Sequence, residues 1–294
     1  MTELVQVTER CHYFSGPVKV GLVRLEGDEV CLIDSGNDKS AGKAVRKALQ
    51  EHGFHLKAIY LTHAHADHSG GCRYLQTQTG CRVYAPGAEC AVACHPLLEP
   101  SLLYGGYPYR ELRGKFLMAA ACEAEPLCTE ALPSGWEMIP LPGHFLDMVG
   151  FRTPDDVVYV ADSLSSRETL EKYRICYTYD VAATLRTLEM LQGMQARLFI
   201  PAHAEPTADI APLARYNEEQ IRALAELILQ LCAAPRSFEE LLQSVADACG
   251  LVLNDEQYVL IGSTLRSYLS WLRESGRVQT RFEANRMLWS AAAM

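Results

Sequence analysis

Within six residues the chain sets His63, His65, Asp67 and His68, in the run Leu61-Thr-His-Ala-His-Ala-Asp-His-Ser-Gly70. Before it, Leu56-Lys-Ala-Ile-Tyr-Leu61 is short and mostly apolar, which predicts a buried strand. After it, Ser69-Gly-Gly71 leads into a predicted helix that ends near Gly80. The histidines therefore fall at the carboxyl end of a strand, in the turn before a helix, where open α/β sheets place their ligand sites. Neutral imidazoles and a carboxylate are the ligands that a borderline divalent ion such as zinc selects. Four such groups this close are too many for one ion in that local geometry. The H-x-H pair can share one ion, and the Asp67-His68 pair points to a second.

The chain around this loop alternates strand and helix, the α/β signature. Residues 11–35 predict strands joined by the turn Glu26-Gly-Asp-Glu29, and Val30-Cys-Leu-Ile-Asp34 runs into Asp34-Ser-Gly36. From Asp38 to His52, Ala41, Ala44, Val45, Ala48 and Leu49 recur at helical spacing. Cys81-Arg-Val-Tyr-Ala85 is a further strand, stopped by Pro86-Gly87. Later, Phe151-Arg-Thr153 and Val157-Val-Tyr-Val-Ala161 form strands around Pro154-Asp-Asp156. A helix is predicted over 180–192, and Leu198-Phe-Ile-Pro-Ala-His203 is one more strand. Three times after the histidine loop, then, a strand runs out toward one lone ligand-type residue: His144, Asp162 and His203. Core packing does not explain that recurrence.

At 294 residues, with 49% hydrophobic and 21% charged residues, the chain has the composition of a globular protein of about two domains. It holds no apolar run of about 18 residues, so no transmembrane helix is expected. The N-terminal residues lack the apolar core of a secretory signal. Eleven scattered cysteines with no C-x-x-C pair fit reduced thiols, and a cytoplasmic location is the expectation. Cys90, Cys94 and His95 have ligand chemistry, but i,i+4 cysteines also describe one buried helix face. The net charge of −9 argues against a surface that binds nucleic acid all over, though not against a local patch.

Residues 96–135 break the rhythm. They are rich in Gly, Pro and Tyr, and a short helix is expected over 110–121. Long irregular segments in compact domains are usually functional lids or disordered; the aromatics here argue against disorder, leaving a packed lid over a site or an arm between subunits. In the lid case Tyr104, Tyr107 and Tyr109 would line the substrate, and Lys115 would be the nearest cation. In the arm case the aromatics would bury against a second copy in a homodimer. Beyond residue 208, a connecting helix (209–234) precedes a module over 235–294. Ser237-Phe-Glu-Glu240 starts it as a capping box. Helices are expected over 238–248, 255–261 and 263–275, then two strands around Ala284-Asn285. Three helices and a hairpin resemble a winged helix. Five arginines between Arg266 and Arg286 could face nucleic acid, but in an acidic chain a solvated, partly paired surface is favoured.

Taken in order, Asp34, His63-Ala-His65-Ala-Asp67-His68, His144, Asp162 and His203 resemble the five motifs of the metallo-β-lactamase superfamily, over roughly residues 1–208. That resemblance implies a four-layered αβ/βα sandwich with metals at one edge of its two sheets. One ion would be held by His63, His65 and His144, and the other by Asp67, His68 and His203. Asp162 would bridge both, with a water or hydroxide between them. Asp34 matches the aspartate that supports the histidine loop by hydrogen bonds without touching metal. Zinc is the first expectation, with iron or manganese as alternatives. Around His144 the pattern departs from the common Thr-x-Gly turn and has Phe145-Leu-Asp147. Asp147 would either partner a ligand histidine or simply make the turn.

The function this implies is a binuclear metal-dependent hydrolase in which Asp67 and Asp162 serve catalysis and a small ester, thioester or lactone is cut. The alternatives are a nuclease guided by the C-terminal module, a metal-sensing regulator that binds nucleic acid, and an iron-dependent thiol dioxygenase. The last is weakened because one metal would leave Asp67, His68 and His203 without an ion. Asp67-His68 also argues against the flavodiiron type. There is no sign of the inserted β-CASP domain, and the C-terminal region lacks the helical thiol-binding layout expected of glyoxalase II.

Overall fold

A computed structural model describes residues 3–292. Two sheets stack face to face with helices on both outer sides. The first sheet runs in chain order through β1 (Leu4–Gln6), β2 (Cys11–Phe14), β3 (Val20–Arg24), β4 (Glu29–Ile33), β5 (His55–Tyr60), β6 (Arg82–Ala85) and β7 (Ala124–Pro126). It is antiparallel up to β4 and parallel from there. The second sheet is ordered β11-β10-β9-β8 and comprises β8 (Glu137–Pro140), β9 (Val149–Arg152), β10 (Val157–Ala161) and β11 (Leu198–Pro201).

Side-chain alternation along the strands decides the layers. Leu22, Leu32, Ile59 and Val83 face outward and pack with Val45, Leu49, Leu75 and Val92. Those four belong to helices α1 (Lys39–Glu51), α3 (Cys72–Thr79) and α4 (Gly87–Cys94); the one-turn α2 (Ala66–Ser69) lies inside the histidine loop. The alternate residues Val23, Cys31, Ile33, Ala58 and Tyr60 face inward and meet Phe151, Val157, Tyr159 and Ile200 of the second sheet. On the far side Val158 and Val160 pack under Leu188 and Leu191. Both faces of these strands are buried, which is why they read as near-continuous apolar runs rather than as an alternating pattern.

The 96–135 stretch is more ordered than its sequence suggests. It holds α5 (Leu98–Tyr104), a 3-10 turn at Arg110–Arg113 in place of the expected helix over 110–121, and β7. Helix α5 has one buried aliphatic side chain, Leu103, and so no apolar period to detect. Its stability comes from tertiary contact: Leu103, Leu112 and Leu117 pack with Val259 from the C-terminal region.

That region follows α6 (Arg167–Tyr173), α7 (Val181–Gly193) and α8 (Ala211–Leu231). It contains α9 (Phe238–Cys249), α10 (Asp255–Glu274) and an antiparallel hairpin of β12 (Val278–Glu283) and β13 (Arg286–Ala291). The capping box at Ser237 and Glu240 forms as expected. The expected break near Gly262 does not occur, and α10 is continuous. The cost of one helical glycine is about 1 kcal/mol. It is outweighed by Ile261, Leu265, Leu269 and Leu272, which are buried with Ile228, Leu242 and Val245. Of the five arginines there, Arg277 pairs with Glu226, Arg281 with Glu283 and Arg286 with Glu240, while Arg266 stacks on Phe238. Among the described residues no helix is long and apolar enough to cross a membrane.

Candidate metal centre

Five strand exits converge at one edge of the two sheets. Asp34 leaves β4, Thr62 and His63 leave β5, His144 lies in the β8–β9 connection, Asp162 leaves β10 and His203 leaves β11. Because β4 and β5 run parallel, as do β10 and β11, their carboxyl ends come out side by side. Three glycines set the close approaches. A Cβ on Gly71 would lie 2.3 Å from the Ser35 carbonyl oxygen and one on Gly70 2.4 Å from that of Asn37, so the histidine loop seats directly on the loop after Asp34. Gly143 has φ 127° and passes the Thr184 backbone, which no side chain there would permit. Asp34 (φ 63°) and Ala161 (φ 51°) are non-glycine residues held in left-handed conformations, one at the centre and the other beside Asp162. Strain of that kind concentrates at functional sites.

The seven ligand-type residues gather into two groups. His63, His65 and His144 form one, and Asp67, His68, Asp162 and His203 the other; within each, the facing atoms lie within 4.8 Å of one another. Asp162 stands between them. Its Oδ1 is 3.1 Å from His68 Nε2, and its Oδ2 is 3.1 Å from His203 Nε2 and 3.6 Å from His144 Nε2. Asp67 Oδ2 lies 3.3 Å from His203 Nε2.

Hydrogen bonds on the far side of each ring decide which nitrogen faces inward. Asp34 accepts from Thr62 N at 2.8 Å, Thr62 Oγ1 at 2.9 Å and His68 Nδ1 at 2.8 Å. The single hydroxyl proton of Thr62 goes to that carboxylate, so Thr62 Oγ1 accepts from His63 Nδ1 at 3.0 Å. His144 Nδ1 donates to Tyr177 O at 3.2 Å and His203 Nδ1 to Pro17 O at 2.9 Å. Four rings are thus oriented with Nε2 facing into the site, the arrangement metal-ligating histidines adopt.

These residues fit metal ions. The bare Nε2 atoms of His63 and His144 lie 3.1 and 3.0 Å from His65 Nδ1, which has at most one proton to share between them. Three imidazole nitrogens with too few protons call for a cation at their common point. Burial holds His63 and His65 well below the ordinary histidine range, and His144 below it. The other group has the opposite balance. Burial opposes its charges, but His68 and His203 draw Asp67 down to about 2 and Asp162 well below the carboxylate range. Asp162 in turn raises His203 to about 10. Inside, His68 Nε2 and Asp162 Oδ1 have no well-directed hydrogen bond despite their 3.1 Å separation.

Other expected residues lie elsewhere. Asp147 accepts from Ala88 N at 2.7 Å at the start of α4 and partners no histidine. Tyr104, Tyr107 and Tyr109 are exposed and make no ring contact with the histidines; Tyr107 stacks with Arg113 and Tyr109 donates to Asp255. Lys115 is tied to Asp38 at 2.9 Å. Cys90 and Cys94 both turn toward the Ala124 carbonyl.

Three residues at the site carry no sequence signal. The Tyr177 ring packs on His65 and His144. Glu99 reaches His65 from α5. Glu89, fully buried, accepts from Ala64 N at 2.9 Å and Asp147 N at 3.1 Å and so pins the H-x-H turn. Burial pushes its pKa from 4.5 to about 8. A carboxyl with a raised folded pKa contributes stability below its unfolded pKa and loses it as pH rises through the folded one. Metal-free protein should therefore lose at most about 4 kcal/mol through this group between pH 5 and pH 8. Glu89→Gln should flatten that decline in urea unfolding. An unchanged slope would show that Glu89 does not hold its proton.

Residues 14–203 match the profile of the metallo-beta-lactamase superfamily. A hydroxyacylglutathione hydrolase of Cereibacter sphaeroides is 32% identical over 121 residues, 41% of this chain and 38% of that protein. The probable metallo-hydrolase YflN of Bacillus subtilis is 25% identical over 208 residues, 60% of this chain and 75% of that protein. The chain thus spans about two fifths of the length of the first of these relatives. Among solved structures, a metallo-beta-lactamase family protein from Thermus thermophilus superposes with a TM-score of 0.69 at 22% identity, covering 93% of both chains. A beta-lactamase domain protein from Burkholderia ambifaria does so with a TM-score of 0.72 at 16% identity, covering 99% of this chain and 94% of the other. At such identities the likeness is one of fold.

Proposed function

The chain belongs to the metallo-β-lactamase superfamily, and from that premise we propose that it is a binuclear metal-dependent hydrolase of a small ester, thioester or lactone. The observation that carries the proposal is the pair of ligand groups meeting across Asp162. His63, His65 and His144 would hold one ion, and Asp67, His68 and His203 the other, with Asp162 shared; zinc suits this mixture of imidazole and carboxylate. When bound, the ions supply Lewis acidity, polarising the scissile carbonyl and making a water nucleophile available at neutral pH.

The chain's own groups do the rest. Asp34, Thr62, Tyr177 and Pro17 fix ring orientation. Asp67 is the most open carboxylate of the set, with its side chain 39% exposed against 10% for Asp162, and in this reading it would accept the proton of the attacking water. A cavity of about 70 Å³ beside His144 and Asp162 is lined by Ser165, Tyr177 and Tyr268, which leaves room for no more than a short acyl chain. The thioester member of the substrate class is supported by the name of the Cereibacter relative.

Residues from 235 on hold two helices, not the expected three, before the hairpin; they pack with the end of α8, and we read them as a winged-helix-like module that buttresses the hydrolase domain rather than one that binds nucleic acid. The pairing of three of its arginines supports this. The test is a panel of acyl thioesters, aryl esters and lactones, assayed before and after chelation and with a single-stranded RNA as comparator. Chelator-sensitive turnover of an ester or thioester is expected. Cleavage of the RNA alone would overturn the assignment.

A further inference from the structure

We infer that Glu99 is a positioning residue of this centre: its carboxyl group holds the outward nitrogen of His65 and ties α5 to the three-histidine group. The inference rests on the metal-hydrolase reading above and concerns a residue outside the ligand motifs.

Four of the five histidines have an acceptor within 3.2 Å of the nitrogen that faces away from the site. These are Thr62 Oγ1 for His63, Asp34 Oδ2 for His68, Tyr177 O for His144 and Pro17 O for His203. His65 is the exception. It turns Nδ1 toward His63 and His144, so its Nε2 must carry the outward proton. The acceptor facing that Nε2 is Glu99 Oε1 at 3.8 Å. Glu99 is only 5% exposed, and among the described residues its carboxyl makes no hydrogen bond.

Most of the Glu99 side chain is out of water, so its carboxyl gains from a polar partner. A carboxyl with only an architectural role would be bonded to backbone amides, as Glu89 is to Ala64 N and Asp147 N. Glu99 has no such bonds, and it points at the one imidazole whose outer nitrogen lacks an acceptor. The distance is too long for a hydrogen bond as it stands, so the positioning role requires the two groups to close by somewhat under 1 Å. The ring it would meet is already oriented by Phe145 and Tyr177, with centroids 4.2 and 5.3 Å away.

The helix carrying Glu99 is braced from the C-terminal side. Leu103, Leu112 and Leu117 pack with Val259 of α10, and Tyr109 Oη donates to Asp255 Oδ1 at 2.8 Å. The inserted segment is thereby a fixed support for one histidine, with its aromatic residues turned outward.

Metal-stripped protein is titrated with Zn²⁺ against a chromophoric chelator, and separately with Co²⁺, whose visible absorption reports the ligand set. Glu99→Leu keeps the packing volume and removes the acceptor. It should weaken metal affinity about 10–100-fold and shift the Co²⁺ spectrum, while the melting temperature of the metal-free protein holds or rises. Glu99→Gln retains a carbonyl acceptor and should recover most of the affinity, which a purely architectural role would not require. Affinity within threefold of the parent and an unchanged Co²⁺ spectrum in Glu99→Leu overturn the positioning role alone. Failure of the parent protein to take up either metal overturns the metal-hydrolase reading, and this inference with it.

Discussion

Asp162→Ala should lower turnover of the best ester or thioester substrate by about three orders of magnitude or more, with the chain still folded. Asp162 reaches both ligand groups, with Oδ1 toward His68 and Oδ2 toward His203 and His144. Its loss removes a ligand from each proposed ion at once and also the charge that raises His203. Electrostatic groups that act at the reacting centre are commonly worth a hundredfold to a thousandfold each, and a carboxylate shared by two ions combines two such roles. Folding should survive, because the protonated histidines it faces can revert to neutral imidazoles. Asp162→Asn separates charge from shape: it should lose comparable activity while circular dichroism and melting temperature stay near the parent values. Elemental analysis of either variant should find fewer ions than in the parent. Near-normal turnover in both would remove Asp162 from the chemistry.

Protein purified without added metal or chelator should contain about two transition-metal equivalents per chain. Exhaustive chelation should abolish turnover, and zinc, manganese or iron should restore it. The basis is seven ligand-type side chains in two groups, each missing what a cation would provide. One group has imidazole lone pairs in excess of protons, and the other has carboxylates held ionised only by neighbouring protonated histidines. Ions that bind the folded chain alone also stabilise it, by about 2.7 kcal/mol per site at a free concentration of 100 Kd. A chelated sample should consequently melt several degrees lower. A reproducible value near one equivalent, unchanged by added metal, would falsify the binuclear arrangement.

Much of this centre was legible in one dimension. His63, His65, Asp67 and His68 lie in one loop, and each later candidate follows a short apolar strand. Strand exits on one edge of a sandwich are neighbours in space, so residues far apart in the chain read as one set. Asp34 belongs to the same logic, since it leaves the strand that pairs with β5. Short-range chemistry was equally readable: the Ser237–Glu240 capping box and the turn at Ala284-Asn285 depend on residues a few positions apart.

What the tertiary structure alone decided are the contacts between segments with no local pattern linking them. Glu89 and Glu99 look like ordinary helical acids until α4 and α5 press them against the histidine loop, where burial removes the water that would have solvated them. Tyr177 and Pro17 act through backbone carbonyls, and a carbonyl leaves no trace in residue type. The tyrosines of the inserted segment read as those of a lid or a dimer arm; packing with Val259 holds the segment by its leucines and leaves those rings exposed. Gly262 carried a local signal to end a helix, and the apolar face around it outweighed that signal. Ligand identity and the positions of strands along the chain are local properties, set by side-chain chemistry and by periodicity over a few residues. The supports that orient those ligands depend on which surfaces meet after collapse, and only the folded chain determines that.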